Sequence, residues 1–140
     1  MTPSGVFVDA SAWVAFFNRR DANQVEARET MARLLRTGAP LVTSTWTTYE
    51  AISIVRSKLG YGRARRLWQM ANDRRIVMMI RIDPGIESGA LKLFWRYRDK
   101  EWGVVDCASL VIMERVGCKA AFAYDRHFVE ASRQRGFSVL

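Results

Sequence analysis

Short apolar runs alternate along the chain with longer segments in which apolar residues recur at helical spacing. The runs are rich in β-branched and aromatic residues, as is typical of strands, and they span 5–9, 41–43, 76–82 and 120–123, with 137–140 as a fifth candidate. We expect Met78 and Met79, in the third run, to lie in the core. The helical pattern predicts helices over 11–17, from 21 or 23 to about 36, then over 46–59, 63–72, 84–97 and 106–116.

This alternation predicts a parallel sheet, because parallel strands need long crossover connections and are usually covered by helices on both faces. We therefore expect an α/β fold: a three-layer α/β/α sandwich, similar to the Rossmann architecture, around a central parallel sheet of about five strands. The length of 140 residues fits one domain that spans residues 1–140. Ligands of such sheets bind beyond the carboxyl ends of the strands, where the strand order reverses.

Four carboxylates lie at the ends of apolar segments or just inside them. Asp9 and Asp125 follow predicted strands, while Glu50 and Asp106 lie in the first turns of predicted helices. An unpaired carboxylate is costly to bury, and carboxylates that share a pocket raise one another's pKa. Because all four can meet at one edge of the sheet, the pattern indicates a shared pocket in which a divalent cation removes the repulsion.

Each acid also has a purely structural interpretation. Asp9, Asp106 and Asp125 could each cap the helix that follows by accepting a backbone N–H. Glu50 stands three residues after Thr47, which is the spacing of a capping box. These alternatives remain open for single residues, but helix capping alone does not explain why the acids gather where a ligand site is expected.

The types of side chain available favour Mg²⁺, with Mn²⁺ as a substitute, because both ions prefer oxygen ligands. Zinc is disfavoured, since the four acids include neither Cys nor His. Cys107 and Cys118 occupy apolar segments, and we expect both to be reduced core residues. The single histidine, His127, is predicted to lie at the edge of the last helix, and a catalytic pair of histidines is excluded.

An excess of basic residues indicates an anionic partner. The chain has 22 Lys and Arg residues against 14 Asp and Glu, for a net charge of +8. Such a protein attracts nucleic acid at long range, although an acidic protein partner, or no such partner, is also compatible with the charge. The densest basic cluster comprises Arg63, Arg65 and Arg66. No apolar run approaches the roughly 18 residues of a membrane span, and residues 1–5 lack signal-peptide features, so we expect a cytoplasmic protein with no membrane contact.

Nearly the whole chain, from Val6 to Leu140, resembles the PIN-domain ribonucleases, specifically the VapC-type toxins of bacterial toxin–antitoxin pairs. The resemblance depends on an ordered set of short motifs: VDASAW at 8–13, LVTS at 41–44 followed by Glu50, YRDK at 97–100, DCASL at 106–110, and AYDRHF at 123–128 before Gly136 and Phe137. No single motif is specific, but the set at this spacing is.

The resemblance implies a PIN-like fold and assigns Asp9, Glu50, Asp106 and Asp125 as catalytic, metal-binding acids. Asp99 matches an additional acid found in many members; otherwise it is a solvated charge at a helix end. Ser11 matches a hydroxyl position near the first acid. Val105 departs from the pattern, because the family usually has Ser or Thr immediately before the third acid.

The function implied by the resemblance is Mg²⁺- or Mn²⁺-dependent hydrolysis of RNA by the toxin of a type II toxin–antitoxin pair. It further implies a homodimer that is inhibited by a cognate VapB-type antitoxin. Two alternatives are a PIN-like nuclease for RNA processing or structured DNA, and a catalytically silent PIN scaffold that binds RNA or an antitoxin. A receiver-type phospho-acceptor domain of similar topology is a more distant alternative, since no lysine follows a late strand.

Overall fold

The computed structural model describes residues 4–140. Residues 1–3, part of the stretch considered above for a signal peptide, lie outside the described residues. Strands and helices alternate as the sequence predicts, and their bounds are β1 (Val6–Val8), α1 (Ala10–Phe17), α2 (Gln24–Thr37), β2 (Leu41–Ser44), α3 (Thr45–Leu59), α4 (Tyr61–Ala71), β3 (Val77–Ile80), α5 (Pro84–Arg96), α6 (Val104–Val116), β4 (Ala120–Phe122), α7 (Arg126–Arg135) and β5 (Ser138–Val139).

The five strands form one parallel sheet with the order β3-β2-β1-β4-β5. The central strand β1 pairs with β2 through Val6 and Leu41, and with β4 through Val6 and Ala120. From β1 the chain first adds β2 and β3 on one side and then β4 and β5 on the other side. The strand order therefore reverses between β1 and β4. The predicted α/β/α fold is confirmed, and its ligand-binding crevice is expected beyond the carboxyl ends of these two strands.

Helices cover both faces of the sheet, and alternate residues of β1 belong to different cores. Val6 and Val8 pack in a cluster with Trp13 of α1 and Leu67 of α4. Phe7 points to the other face, where it joins a cluster on α5, α6 and α7 that includes Leu110, Ile112 and Phe128. Phe7, Val8 and Trp13 are fully buried, and each such side chain contributes roughly 1.5–3 kcal/mol through removal of its apolar surface from water.

The edge of the sheet differs from expectation at β3. Met78 was predicted to lie in the core, but it is 50% exposed, because β3 is an edge strand with a neighbour on one side only. Met79 packs partly buried against the first core. Within residues 4–140, no helix is long and apolar enough to cross a membrane.

Candidate active site

The first acid of the site lies at the point where the strand order reverses. Asp9 follows β1 and caps α1: its Oδ2 accepts hydrogen bonds from the Ser11 N–H at 3.1 Å and the Ser11 hydroxyl at 2.6 Å. The Ser11 hydroxyl oxygen in turn accepts the backbone N–H of Tyr124 at 2.9 Å. The Asp9 N–H donates to the Phe122 carbonyl at 3.0 Å. Ser11 therefore ties the Asp9 carboxylate to the end of β4.

Asp9 is held in an environment that disfavours its charge. The residue is 4% exposed, and burial raises its pKa from 3.8 to about 6, although the hydrogen bonds from Ser11 act in the opposite direction. Repulsion by Asp106 raises the pKa further, so the two carboxylates lie within electrostatic range of each other. A buried acid with this pKa is the kind of group that clusters at functional sites.

Asp106 and Asp125 are brought together by α6 and α7. Gly103 is the N-cap residue of α6, and Asp106, at the third helical position, accepts the Gly103 N–H at 3.0 Å. Asp125 caps α7 by accepting the His127 N–H at 2.8 Å. Burial, together with repulsion by Asp125, raises the pKa of Asp106, while its contacts with Gly103 and His127 lower it.

Glu50 lies within electrostatic range of Asp106 and Asp125 but, like Asp9, outside the compact group of Asp106, Asp125 and His127, whose ligand atoms lie within 4.8 Å of one another. It lies on α3, and although the residue is exposed on average, partial burial and repulsion by Asp106 and Asp125 raise its pKa. The capping-box interpretation of Glu50 is wrong. The helix begins at Thr45 and its N-cap is Ser44, whose hydroxyl accepts the Thr47 N–H at 3.1 Å, so Glu50 lies beyond the first turn and is free of any capping role.

For the other three acids, capping and clustering occur together. Asp9 and Asp125 are N-caps, and Asp106 bonds back to Gly103. The same three carboxylates nevertheless interact electrostatically across the crevice. A cap leaves carboxylate lone pairs unused, because one or two backbone N–H groups occupy only part of the acceptor capacity of a carboxylate. The structural interpretation therefore does not exclude a site.

Asp99 occupies a different position. Its side chain is 75% exposed and lies 3.6 Å from the ammonium group of Lys100. It lines a cavity of about 550 Å³ that also includes Arg126, His127 and Arg133. The structure thus places Asp99 in a cavity that shares His127 with the acidic group but is lined by none of the four acids.

His127 is the site residue that the sequence analysis missed. It was predicted to be an edge residue, but its side chain is 23% exposed and its Nδ1 atom lies 3.4 Å from carboxylate oxygens of both Asp106 and Asp125. The available signal was the spacing Asp125-x-His127, since a residue two positions after an N-cap can turn its side chain toward the capping group. Arg126 and Arg133 of α7 line the adjoining cavity, whereas the sequence analysis singled out the arginines of α4.

No arginine or lysine within residues 4–140 lies at ion-pair distance from the four acids, and His127 is the one basic side chain there that contacts them. Asp106, Asp125 and His127 form a group that could hold a metal ion. Cys107 and Cys118 are free and buried, as predicted. Burial raises the pKa of Cys107 to about 11, so without a metal ion the thiol stays protonated at neutral pH.

The parallel sheet in the order β3-β2-β1-β4-β5, with acids near the point where the order reverses, agrees with the result of the family comparison. Residues 6–134 match the PIN domain, and the chain belongs to the PIN-domain family. The family prediction of the sequence analysis is confirmed, and the receiver-type alternative is excluded.

The individual relatives are VapC proteins. The chain is 28% identical over 127 residues to the 23S rRNA-specific endonuclease VapC20 of Mycobacterium tuberculosis, in strains CDC 1551 / Oshkosh and H37Rv, with 90% of this chain and 93% of the relative covered. The crystal structure of M. tuberculosis VapC20, described as a Sarcin-Ricin loop cleaving toxin, superimposes with a TM-score of 0.82 at 26% identity, covering 95% of this chain and 96% of that one. The predicted resemblance to VapC-type toxins is therefore confirmed.

Proposed function

We propose that this PIN-domain protein is a VapC-type toxin, an endoribonuclease that hydrolyses RNA phosphodiester bonds with the help of Mg²⁺, for which Mn²⁺ can substitute. The observation that supports the proposal is that Asp9, Glu50 and Asp125, from three separate segments, all interact electrostatically with Asp106 near the reversal of strand order. Three of these acids have raised pKa values. We infer that one domain, residues 1–140, provides this activity in the cytoplasm, where RNA is accessible.

The four acids fit a hard divalent cation. They offer oxygen ligands, which Mg²⁺ and Mn²⁺ prefer, and among residues 4–140 no Lys or Arg neutralises them. The raised pKa values of Asp9, Glu50 and Asp106 mean that their charged forms are stabilised too little by the protein alone. We propose that these three acids hold the main cation and that Asp125 completes this site or a second, weaker one.

Residues of the chain have separate roles in orienting the metal ligands and in binding the RNA. When bound, a divalent cation activates water for attack and stabilises negative charge on the phosphate oxygens. Ser11 fixes the carboxylate of Asp9 with a hydrogen bond of 2.6 Å, so that this ligand is oriented before the substrate arrives. Arg126 and Arg133, on the wall of the adjoining cavity, are placed to bind phosphates that flank the scissile bond. Hydroxyl assistance from position 105 is absent, because Val105 stands there.

We propose RNA with a folded target loop as the substrate class. The net charge of +8 favours a polyanion, and the named relatives act on 23S rRNA. The test is cleavage of a labelled ribosomal stem-loop by the purified full-length protein, with added Mg²⁺, with Mn²⁺, or with a chelator. We expect cleavage with either cation and none with the chelator.

The variant pair for this test is Asp106→Asn and Asp73→Asn. Asp106→Asn removes a proposed ligand charge, and we expect the cleavage rate to fall by about 10²–10³-fold, as when one charge-stabilising group is removed from an active site. Asp73 precedes the edge strand β3 and lies outside the acidic group, so the Asp73→Asn variant should cleave RNA like the wild type. RNA binding without metal-dependent cleavage would instead support the silent-scaffold alternative.

We further propose a VapB-type antitoxin as protein partner and a homodimer as the working assembly. VapC toxins pair with VapB antitoxins, and a basic toxin is complementary to an acidic partner. Exposed aromatic side chains support protein contacts: Tyr49, Tyr61 and Trp95 are 48%, 62% and 67% exposed. Light scattering of the purified protein tests the dimer, and an antitoxin from a neighbouring reading frame should abolish RNA cleavage at equimolar amounts.

A further inference from the structure

His127 has its polar contacts on one side of the ring only. Its Nδ1 atom lies 3.4 Å from Asp106 Oδ2 and 3.4 Å from Asp125 Oδ1. Its Nε2 atom is buried and has no hydrogen-bond partner among the described residues. The backbone N–H of His127 also donates to the Asp125 carboxylate at 2.8 Å in the first turn of α7, so the residue contacts this acid through both its main chain and its ring. The ring therefore presents Nδ1 to the two acids and to nothing else.

The two contacts of Nδ1 are too long for strong hydrogen bonds. A charge-assisted N–H···O bond is typically about 2.7–2.9 Å long, and here two equal distances of 3.4 Å leave the ring committed to neither carboxylate. Ligand atoms on neighbouring corners of an octahedron with bonds of about 2.0–2.1 Å lie roughly 3 Å apart. The three atoms offered by Asp106, Asp125 and His127 all lie within 4.8 Å of one another, so one cation can contact all of them.

We propose that His127 supplies a nitrogen ligand, through Nδ1, to the cation that Asp106 and Asp125 hold, and that this ligand makes the centre prefer Mn²⁺ to Mg²⁺. The inference deepens the proposed function and rests on it. Imidazole nitrogen binds first-row transition ions well, whereas Mg²⁺ is bound almost entirely by oxygen. A site of four carboxylates alone has no built-in preference for Mn²⁺ over Mg²⁺. His127, as a fifth ligand, adds this preference.

The chain offers an unusually clean test, because His127 is its only histidine. Full-length protein without a polyhistidine tag, grown with ¹⁵N-histidine, is loaded with Mn²⁺ alone and measured by pulsed electron paramagnetic resonance. We expect nuclear modulation from a directly bound histidine nitrogen, which changes from the ¹⁴N to the ¹⁵N pattern on labelling. This readout reports coordination and does not depend on RNA cleavage.

His127→Asn is the matched variant. The asparagine amide can still donate hydrogen bonds near the Nδ1 position, and its nitrogen has no lone pair for a metal. Its amide oxygen is a hard ligand that does not favour Mn²⁺ over Mg²⁺ as an imidazole nitrogen does. By calorimetry, we expect the dissociation constant for Mn²⁺ to rise by about 10–100-fold, the range for perturbing metal-site residues. For Mg²⁺ we expect a change of no more than about threefold, because Mg²⁺ gains little from imidazole.

Each outcome decides the question. Nitrogen coupling that is absent in wild type with Mn²⁺ bound overturns the inference and leaves His127 as a hydrogen-bond bridge only, while the proposed ribonuclease stands. Equal weakening of Mn²⁺ and Mg²⁺ in His127→Asn overturns the preference. Failure of wild type to bind either ion overturns the metal site itself, and the proposed function with it.

Discussion

Two aspartates, one before a strand and one after a strand of the same sheet, show how a candidate site differs from an ordinary surface position. Asp73 precedes β3 and is met by the guanidinium of Arg75, with contacts of 3.0 Å and 2.8 Å, which lower its pKa to about 2. Asp9 follows β1, has no basic partner within the described residues, and has a pKa raised to about 6 by burial. Asp73 is paired with an arginine of its own loop, whereas Asp9 is buried and has no basic partner among the described residues.

The difference teaches that charge alone is a poor guide to function in this chain. Both acids lie beside strands, and both bond to a backbone N–H two residues later. What separates them is burial and the partner: the Arg75 side chain is 88% exposed, and no such group reaches Asp9. The predictions that follow use this contrast, and Asp73 serves as the reference for Asp9.

The largest expected effect is on the stability of the metal-free protein. A folded pKa of about 6 against 3.8 for the unfolded chain means that Asp9 contributes stability below pH 3.8 that is lost as pH rises through about 6. At about 1.4 kcal/mol per pKa unit, the loss amounts to about 3 kcal/mol. Asn at position 9 retains an acceptor for the cap. In chelator, Asp9→Asn should therefore be more stable than wild type near pH 7, by urea denaturation.

The pH profile provides the control for this prediction. The advantage of Asp9→Asn should be near its maximum above pH 7 and should shrink as pH falls toward 4, where Asp9 of the wild type is protonated. Asp73→Asn should show no such gain at neutral pH. Wild-type and Asp9→Asn profiles that run parallel from pH 4 to pH 8 would contradict the raised pKa of Asp9.

The second effect is the recovery of stability on metal binding. A cation that binds the folded state only stabilises it by about 2.7 kcal/mol at a concentration 100 times its dissociation constant. We expect Mn²⁺ to raise the melting temperature of wild type at pH 7.5 and to leave Asp106→Asn nearly unchanged. Asp73→Asn should respond like wild type, because its acid lies outside the crevice. A similar shift in all three proteins would place the bound ion elsewhere.

The sequence predicts the framework of the site because its signals are local. Apolar runs and helical spacing identify strands and helices, and the rule for parallel sheets then places Asp9 and Asp125 at the same edge. The pairing of β1 with β4 cannot be predicted from either segment alone. The alternation of strands and helices nevertheless restricts the possible strand orders strongly. Fold and location could therefore be predicted before any coordinates.

The parts that escaped prediction depend on single residues at element boundaries. Ser44 begins the cap of α3 earlier than expected, which removes Glu50 from the capping box. Gly103 is the N-cap of α6, so Asp106 lies at the third position of this helix and not at its N-cap. His127 is directed by the first turn of α7. Shifts of one or two residues rotate a side chain by 100° or more around a helix of about 3.6 residues per turn, and sequence patterns do not resolve them.

A smaller effect is expected from the hydroxyl that orients Asp9. Ser11→Ala leaves the Tyr124 N–H without its acceptor and removes the hydrogen bond of 2.6 Å to Asp9. We expect the free energy of unfolding to fall by roughly 1–2 kcal/mol, within the range for an unsatisfied buried group. Because the lost hydrogen bond from the Ser11 hydroxyl lowers the pKa of Asp9, that pKa should rise further. Ser132→Ala, which removes an exposed hydroxyl contact, is the matched control and should change neither quantity.

The smallest effect is expected when Arg75, the partner of the reference acid Asp73, is replaced. Arg75→Ala removes the side-chain contacts that lower the pKa of Asp73, and in an NMR titration we expect this pKa to move from about 2 toward the ordinary value of 3.8. A lowered acid pKa stabilises the fold above pH 3.8, and this contribution is lost as pH falls through about 2. Because the pair is exposed and solvent screens it, its removal should change the free energy of unfolding at neutral pH only slightly. The pKa of Asp9 and the rate of RNA cleavage should be unchanged. A change in the pKa of Asp9 or in the cleavage rate would mean that Asp73 and Asp9 are coupled through the sheet. The contrast between the Asp73–Arg75 ion pair and Asp9, which has no basic partner among the described residues, would then not be local.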